Sequence, residues 1–179
     1  MKKNLLIKLI TVILLSLTFS SCSIFSGGSD LNNLIRTFYV GEGGTQYYVK
    51  PMTFESKDGN DMFMDITFRY KDELNDSAAI NFTITSEQLI KTLDNVTISN
   101  NTSTFVTNQY ELLFAEKDGD YFKSRFSFKI PMIELDKLIK NQSWKLTLKN
   151  KETMLEYFSA SNTQDNLKTL NDDLFVIFR

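Results

Sequence analysis

Apolar and polar residues alternate along several segments of this chain, which is the pattern of strands with one buried face. The clearest run is 62–70, in which Met62 and Ile66 share one face and Asp65 and Arg69 share the other. Further runs of this kind lie at 80–85, 122–130 and 144–149. We therefore predict a mainly β fold, a two-layer β-sandwich with short helices at its edges. The alternative is an open or flattened β-barrel.

Turn and helix signals divide these strands. Asp58-Gly59 and Asp118-Gly119 predict hairpin turns. Pro51, within a strand predicted over 47–54, indicates an edge position or a bulge. Apolar residues at helical spacing predict short helices over 86–93, 133–139 and 163–170. Each has about two turns, which is too short for an isolated helix, so all three should pack on the sheet.

The chain resembles itself when it is shifted by 46 residues without a gap. Phe82 then aligns with Phe128, and Ile84 aligns with Ile130. Because a lone strand pair cannot bury its apolar face, we predict a duplicated strand–helix–strand unit whose copies pack about a pseudo-twofold axis. A partial third copy would end in a strand over 174–178. The alternative is that β sequences with this alternation resemble one another by composition alone.

The first 22 residues have the features of a secretory signal. Lys2 and Lys3 precede an apolar stretch from Leu9 to Phe19, and small residues then lead to Cys22, the one cysteine of the chain. A charged start, roughly 7–15 apolar residues and a small-residue cleavage site define such signals. A membrane span needs about 20 apolar residues, so an uncleaved anchor is the less favoured alternative.

The segment Phe19-Ser20-Ser21-Cys22 resembles the lipobox of bacterial lipoproteins, with Phe19 where that family usually has Leu. The resemblance covers only this segment. It implies that residues 1–21 are removed, that the Cys22 thiol takes a diacylglycerol, and that the freed amine takes a further acyl chain. Two or three acyl chains hold a protein firmly on a bilayer. Residues 22–33 would then form a flexible tether to one β-rich domain over 34–179.

Location and charge limit the expected partners. Ser23 lacks the acidic character of an inner-membrane retention signal, so the lipoprotein resemblance implies the outer membrane, at either its periplasmic or its surface face. Removal of the signal leaves 17 Lys+Arg against 22 Asp+Glu, a net charge of −5, without a basic patch. We therefore expect no nucleic acid. The expected partners are the membrane, through the lipid anchor, and another envelope protein or a glycan.

The chain contains no histidine, which limits its chemistry. Ser-His-Asp and Cys-His catalysis need histidine, and the common zinc sites need histidine or several cysteines. The acidic clusters at 58–61, 72–76 and 118–120 lack the spacing of a calcium loop and are typical of turns. We predict a protein that is not an enzyme, has no cofactor, and binds or scaffolds an envelope component. The remaining enzymatic alternative is a hydrolase in which Asp65 and Glu111 face one cleft.

Aromatic residues are the candidate contacts for a partner. Tyr47, Tyr48 and Trp144 could contact a glycan or a protein, although aromatics at alternating positions more often lie in a core. A glycan- or lipid-binding module is thus the alternative to a protein-binding one. Asp76-Ser77-Ala78 resembles the short acceptor motif of bacterial O-glycosylation. That resemblance implies a sugar on Ser77, in a predicted loop.

Overall fold

The computed structural model describes residues 29–71, 77–151 and 153–179, and strands dominate these ranges, so the predicted mainly β class is confirmed. The strands are β1 (Ile35–Tyr39), β2 (Thr45–Ser56), β3 (Met62–Tyr70), β4 (Ser77–Ser86), β5 (Asn95–Ser99), β6 (Thr104–Thr107), β7 (Glu111–Asp118), β8 (Tyr121–Pro131), β9 (Lys145–Asn150) and β10 (Thr153–Ser159). The helices are α1 (Ser29–Leu34), α2 (Met132–Ile139) and α3 (Ser161–Thr169). Two tighter helical turns follow, at Leu170–Leu174 and Phe175–Phe178.

The strands form one antiparallel sheet with the order β6-β5-β9-β10-β2-β3-β4-β8-β7, and β1 pairs with β2 off this path. The sheet curls strongly, since Phe105 on β6 stacks on Phe128 on β8 with ring centroids 6.2 Å apart. Residues 108–110 join β6 directly to β7, although these strands lie at opposite ends of the order. The curled sheet is a half-barrel with a sandwich-like interior.

The core lies on the inner face of the curled sheet. On β3 the predicted alternation holds in full, because Met62, Ile66 and Phe68 are buried while Arg69 is exposed. The C-terminal turns cover the same face, where Phe175 and Phe178 pack on Phe68 with centroids 5.7 and 5.8 Å apart. The polar residues of β3, such as Asp65 and Arg69, lie on the outer face of the sheet.

Both predicted hairpin turns are confirmed. Gly59 (φ 78°) joins β2 to β3, and Gly119 (φ 63°) joins β7 to β8. Glycine adopts this left-handed backbone without the steric cost of a Cβ atom. The predicted bulge is also present, because the register between β2 and β3 shifts between Val49 and Met52, on either side of Pro51.

The strand register supports a duplication of a β-hairpin, although the helix of the predicted strand–helix–strand unit follows only the second copy, as α2. Asp65 pairs with Asn81 in the β3–β4 hairpin, and Glu111 pairs with Ser127 in the β7–β8 hairpin, 46 residues later in each case. The hairpins lie side by side through antiparallel pairing of β4 with β8, which is the arrangement a pseudo-twofold axis would produce. The match ends at a bulge between Leu112 and Phe114.

Two predicted elements are wrong. Residues 86–93 are not helical, because the Tyr110 hydroxyl binds the backbone of Leu93, accepting from its N–H at 2.6 Å and donating to its C=O at 2.8 Å. The Tyr110 hydroxyl thus satisfies the backbone N–H and C=O of Leu93, which would otherwise need helical hydrogen-bond partners. Residues 174–178 are helical turns, not the strand of a third copy. A short apolar run does not distinguish a strand from a helix.

The N-terminal boundary also differs from the prediction. The last five residues of the predicted tether, 29–33, belong to α1. This helix packs against α3 and the turn Leu170–Leu174. The signal, Cys22 and residues 23–28 lie outside the described residues, so the predictions for them stay predictions.

Asp136 on α2 binds the C-terminal residue. Its Oδ1 accepts a hydrogen bond from Arg179 Nε at 2.8 Å, and its Oδ2 lies 2.7 Å from Lys140 Nζ. Burial alone would raise the pKa of Asp136, but the hydrogen bonds and charges of Lys140 and Arg179 hold it below its usual range. These contacts therefore stabilise the fold above the unfolded pKa, and their contribution is lost as the pH falls through the folded pKa.

We expect Asp136→Asn to lower the free energy of unfolding at neutral pH by about 1–3 kcal/mol, because two cations lose their charged acceptor. The difference from the native protein should shrink as the pH falls below about 4. Urea unfolding at neutral and acidic pH measures both effects. Glu134→Gln is the matched control, because Glu134 forms an exposed pair with Lys137 on the same helix. Equal losses in both variants would contradict this interpretation.

Candidate functional site

A gap in the sheet lies beside β2. One edge of β2 pairs with β1 through residues 45–49 and with β10 through residues 54–56. No strand pairs there with residues 50–53 in the described part of the chain, and the bulge at Pro51 falls in this interval. Proline has no N–H to donate to a neighbouring strand. The sequence therefore opens the sheet at this point.

A groove of about 610 Å³ lies next to this gap. We call it the outer-face groove; its lining residues are Arg36, Phe38, Tyr48, Val49, Lys50, Pro51, Asp65 and Thr67. The pairing of Arg36 with Tyr48, and of Tyr48 with Thr67, brings side chains of β1, β2 and β3 into one row. The groove is thus built on three adjacent strands.

Two exposed aromatic rings form the apolar part of the outer-face groove. Phe38 and Tyr48 meet edge to face, with centroids 5.6 Å apart and an interplanar angle of 85°. Phe38 is 56% exposed and Tyr48 is 43% exposed. Two such rings side by side offer a flat apolar contact to a ligand or a partner.

The charged side chains of the groove differ in their bonding. Asp65 accepts from Asn81 Nδ2 at 2.8 Å and from Arg125 Nη2 at 2.5 Å, and Arg125 also donates to Thr83 at 2.9 Å. Asp65 is therefore held in position at the wall of the groove, because both of its carboxylate oxygens accept hydrogen bonds from the protein.

The cations of the groove are available to a ligand. Neither Arg36 nor Lys50 forms an ion pair with any residue that the structure describes. Together with the two rings, they give the groove apolar contacts and donors for a negatively charged or carbonyl group.

A smaller hollow of about 280 Å³ near Trp144 is a weaker candidate. Three of its polar side chains already have partners in the fold. Asn100 donates to Leu138 O at 2.7 Å, Gln164 donates to Ser159 O at 3.0 Å, and Lys145 pairs with Glu156. A ligand there would have to compete with these bonds, which is why we favour the outer-face groove.

Of the three aromatics proposed as contacts, only Tyr48 lies on the exposed surface. Trp144 is 1% exposed and donates from Nε1 to Leu138 O at 2.9 Å, so it is a core residue and not a surface contact. Tyr47 is half-buried on the inner face, where it stacks on Phe68 with centroids 5.0 Å apart. Burial raises the pKa of Tyr47, and the nearby Tyr70 adds to the rise.

Ser77 is the first residue of β4 and pairs with Pro131, so it lies in a strand and not in the predicted loop. It is half-buried. Asp76, the first residue of the proposed acceptor motif, lies outside the described residues. Glycosylation of Ser77 therefore stays a prediction.

Asp65 and Glu111 lie in one cross-strand row, with Asn81 and Ser127 between them. They share a face, as the hydrolase alternative requires. Three strand spacings, however, separate them by about 14 Å along the sheet, beyond the roughly 10 Å upper limit for paired glycosidase carboxylates. The bonds of Asp65 to Asn81 and Arg125 also leave it poorly placed for acid–base work.

The sequence does not predict Arg36 and Phe38 as site residues, because no strand is predicted over the residues that form β1. The run Arg36-Thr37-Phe38-Tyr39-Val40 is rich in aromatic and β-branched residues, and this was the available signal.

Two further observations concern the described ranges alone. None of their helices combines the length and apolar character needed to cross a bilayer. Their His, Cys, Asp and Glu side chains nowhere gather in threes or more as metal ligands would.

No protein-family model, curated protein or solved structure matches this chain. The functional argument therefore rests on the residues of the chain itself.

Proposed function

We propose that this chain is a membrane-anchored bacterial envelope lipoprotein, without enzymatic activity, that binds another envelope component in the outer-face groove. One observation supports the binding role above all. The groove combines an exposed aromatic pair, Phe38 and Tyr48, with two cations, Arg36 and Lys50, that form no ion pair with the residues that the structure describes. Aromatic residues and arginine are enriched among the residues that dominate binding energy at protein interfaces.

The anchor in this proposal is supported by the leader. The lipobox-like segment ends at Cys22, and Ser23 favours the outer membrane. The negative charge of the mature chain would oppose adsorption to anionic lipid. The acyl chains would therefore supply the attachment, and the domain would be free to present its groove to a partner.

Photo-crosslinking in cells tests the binding role. With p-benzoylphenylalanine in place of Tyr48, we expect a discrete crosslinked species. Phe38→Ala in the same protein should reduce its yield by roughly tenfold, which corresponds to about 1.4 kcal/mol of binding energy. The same photo-reactive residue at Val106 is the control, because Val106 is 58% exposed on β6, far from β2 in the sheet order.

The identity of the adduct separates the two leading candidates. If protease digests the mass that crosslinking adds to this chain, the result supports a protein partner. A species whose added mass resists protease supports the glycan- or lipid-binding alternative, which the same pairing of aromatic rings with polar groups favours. Equal crosslinking from positions 48 and 106, or none from position 48, would count against binding in the groove.

A further inference from the structure

Three strands in the described part of the chain have one edge that no other strand pairs: β1, β6 and β7. An unpaired edge presents backbone N–H and C=O groups that can pair with another chain. Native proteins protect such edges with short strands, bulges or charged side chains. The three edges can therefore be compared by the protection that each one carries.

Two of these edges are protected and the third is not. β6 has only four residues. β7 contains the bulge between Leu112 and Phe114, and four of its eight residues are charged. β1 has neither feature, because its five residues pair with β2 in an unbroken register and include one charged residue, Arg36. Among the described strands, β1 thus has the edge that is most open to pairing.

The edge of β1 is also accessible. Arg36, Thr37, Phe38 and Tyr39 are all exposed. Because neighbouring residues of a strand point to opposite faces, both faces of β1 are open to solvent over these four residues. A strand added at this edge would lie about 4.8 Å from β1. It would extend the outer-face groove, which Arg36 and Phe38 line.

The side chains of the groove indicate the chemistry of such a strand. Arg36 forms no ion pair with any described residue, so an acidic side chain beside it would supply the missing opposite charge. Lys50 lies at the same end of β1, two residues beyond Tyr48, which pairs with Arg36. Phe38 is 56% exposed and would contact an apolar side chain. The edge therefore fits an extended segment in which one residue separates an acidic residue from an apolar one.

A second copy of this chain fits the edge less well. The β1 sequence Ile-Arg-Thr-Phe-Tyr contains no acidic residue. Pairing of β1 with β1 of another copy would therefore leave Arg36 without an opposite charge. The acidic strand β7 of another copy is interrupted by its bulge. Charge complementarity thus favours a different protein as the occupant.

We propose that an extended segment of the partner protein adds to β1 as a further strand, with an acidic side chain beside Arg36 and an apolar side chain beside Phe38. This inference rests on the proposed binding role of the outer-face groove, and it states the form of the partner that occupies the groove. Main-chain hydrogen bonds to β1 would supply affinity, and the two side chains would supply specificity.

Selection from a phage-displayed library of random heptapeptides tests the proposal, with the mature protein as purified from cells as the target. We expect the selected peptides to share an acidic and an apolar residue separated by one position. A synthetic peptide of the selected sequence should bind Arg36→Ala roughly tenfold more weakly, because a contact between opposite charges is lost. Fluorescence anisotropy measures this change. Lys149→Ala is the matched control, since Lys149 is an exposed cation on β9 that forms no ion pair within the described residues.

N-methylation of the same peptide tests the strand pairing itself. One version is methylated on its odd-numbered backbone nitrogens and the other on its even-numbered ones, and both keep every side chain. Alternate N–H groups of an added strand point toward β1. One version should therefore bind roughly tenfold more weakly or worse, while the other binds nearly as well as the unmodified peptide.

Three results would overturn the proposal: no enriched peptide, equal effects of the two methylation patterns, or equal binding to the native protein and Arg36→Ala. Sedimentation of the native protein as a dimer, and of Phe38→Ala as a monomer, would assign β1 to a second copy and would also overturn it. In each case, a discrete crosslink from position 48 to an envelope component would leave the proposed binding role standing. Absence of that crosslink as well would overturn both.

Discussion

Replacing Trp144 with alanine should lower the free energy of unfolding by about 3–5 kcal/mol, among the largest losses that one core substitution causes. The indole is 1% exposed, and its Nε1 donates to Leu138 O at 2.9 Å. The substitution would leave a cavity where β9 begins beside α2, and it would remove one donor from that carbonyl. Asn100 Nδ2 still donates to the same oxygen at 2.7 Å, so the cavity should account for most of the loss.

Far-UV circular dichroism during urea unfolding measures this effect, since the chain has one tryptophan and its fluorescence disappears with the substitution. Tyr48→Ala is the matched control, because an exposed aromatic outside the core should change stability by about 0.5 kcal/mol or less. Trp144→Phe retains part of the ring and should fall between the two. Equal midpoints for Trp144→Ala and Tyr48→Ala would contradict the buried position of the indole.

The three candidate aromatic contacts show how much of their burial the sequence predicts. The alternation of Trp144 with Leu146 and Leu148 already favoured a buried indole. Tyr47 and Tyr48 are adjacent in a strand and must point to opposite faces. The alternation alone did not say which of the two faces the core; the pairing of β2 between β1 and β3 decides that. The groove depends on three strands at once, which a local pattern does not encode.

Local signals predicted the elements of the fold well where the chemistry is local. The Asp-Gly turns and the bulge at Pro51 depend on backbone preferences of the residues themselves. The non-helical backbone at Leu93 depends instead on Tyr110, a residue 17 positions away. The strand order of the curled sheet is likewise a property of long-range pairing. Contacts with residues distant in the sequence decide whether such a segment is helical, and the local sequence does not predict those contacts.

The duplication could be predicted from the sequence only in part. Its shift was visible in the sequence because both copies keep apolar residues at the buried positions of β4 and β8. Phe114 aligns with the buried Phe68, yet it is exposed. The bulge in β7 moves the residues that follow it to the other face of the sheet. The aligned residues carry no signal that predicts this bulge.

The second large effect concerns the anchor. We expect Cys22→Ala to abolish incorporation of an alkyne-tagged fatty acid and to move the protein from the membrane fraction to the soluble fraction, because this position carries the one thiol of the chain. Attachment through several acyl chains is firm, so its loss should be nearly complete and not partial. Ser23→Ala is the matched control, since it changes the neighbouring residue and keeps the thiol.

Fatty-acid labelling of the native, Cys22→Ala and Ser23→Ala proteins in growing cells is therefore the most direct test of the proposed function. The proposal predicts strong labelling of the native and Ser23→Ala proteins and none of Cys22→Ala. An unlabelled native protein, or equal labelling of all three, would contradict the lipid anchor on Cys22 and with it the assignment to the envelope.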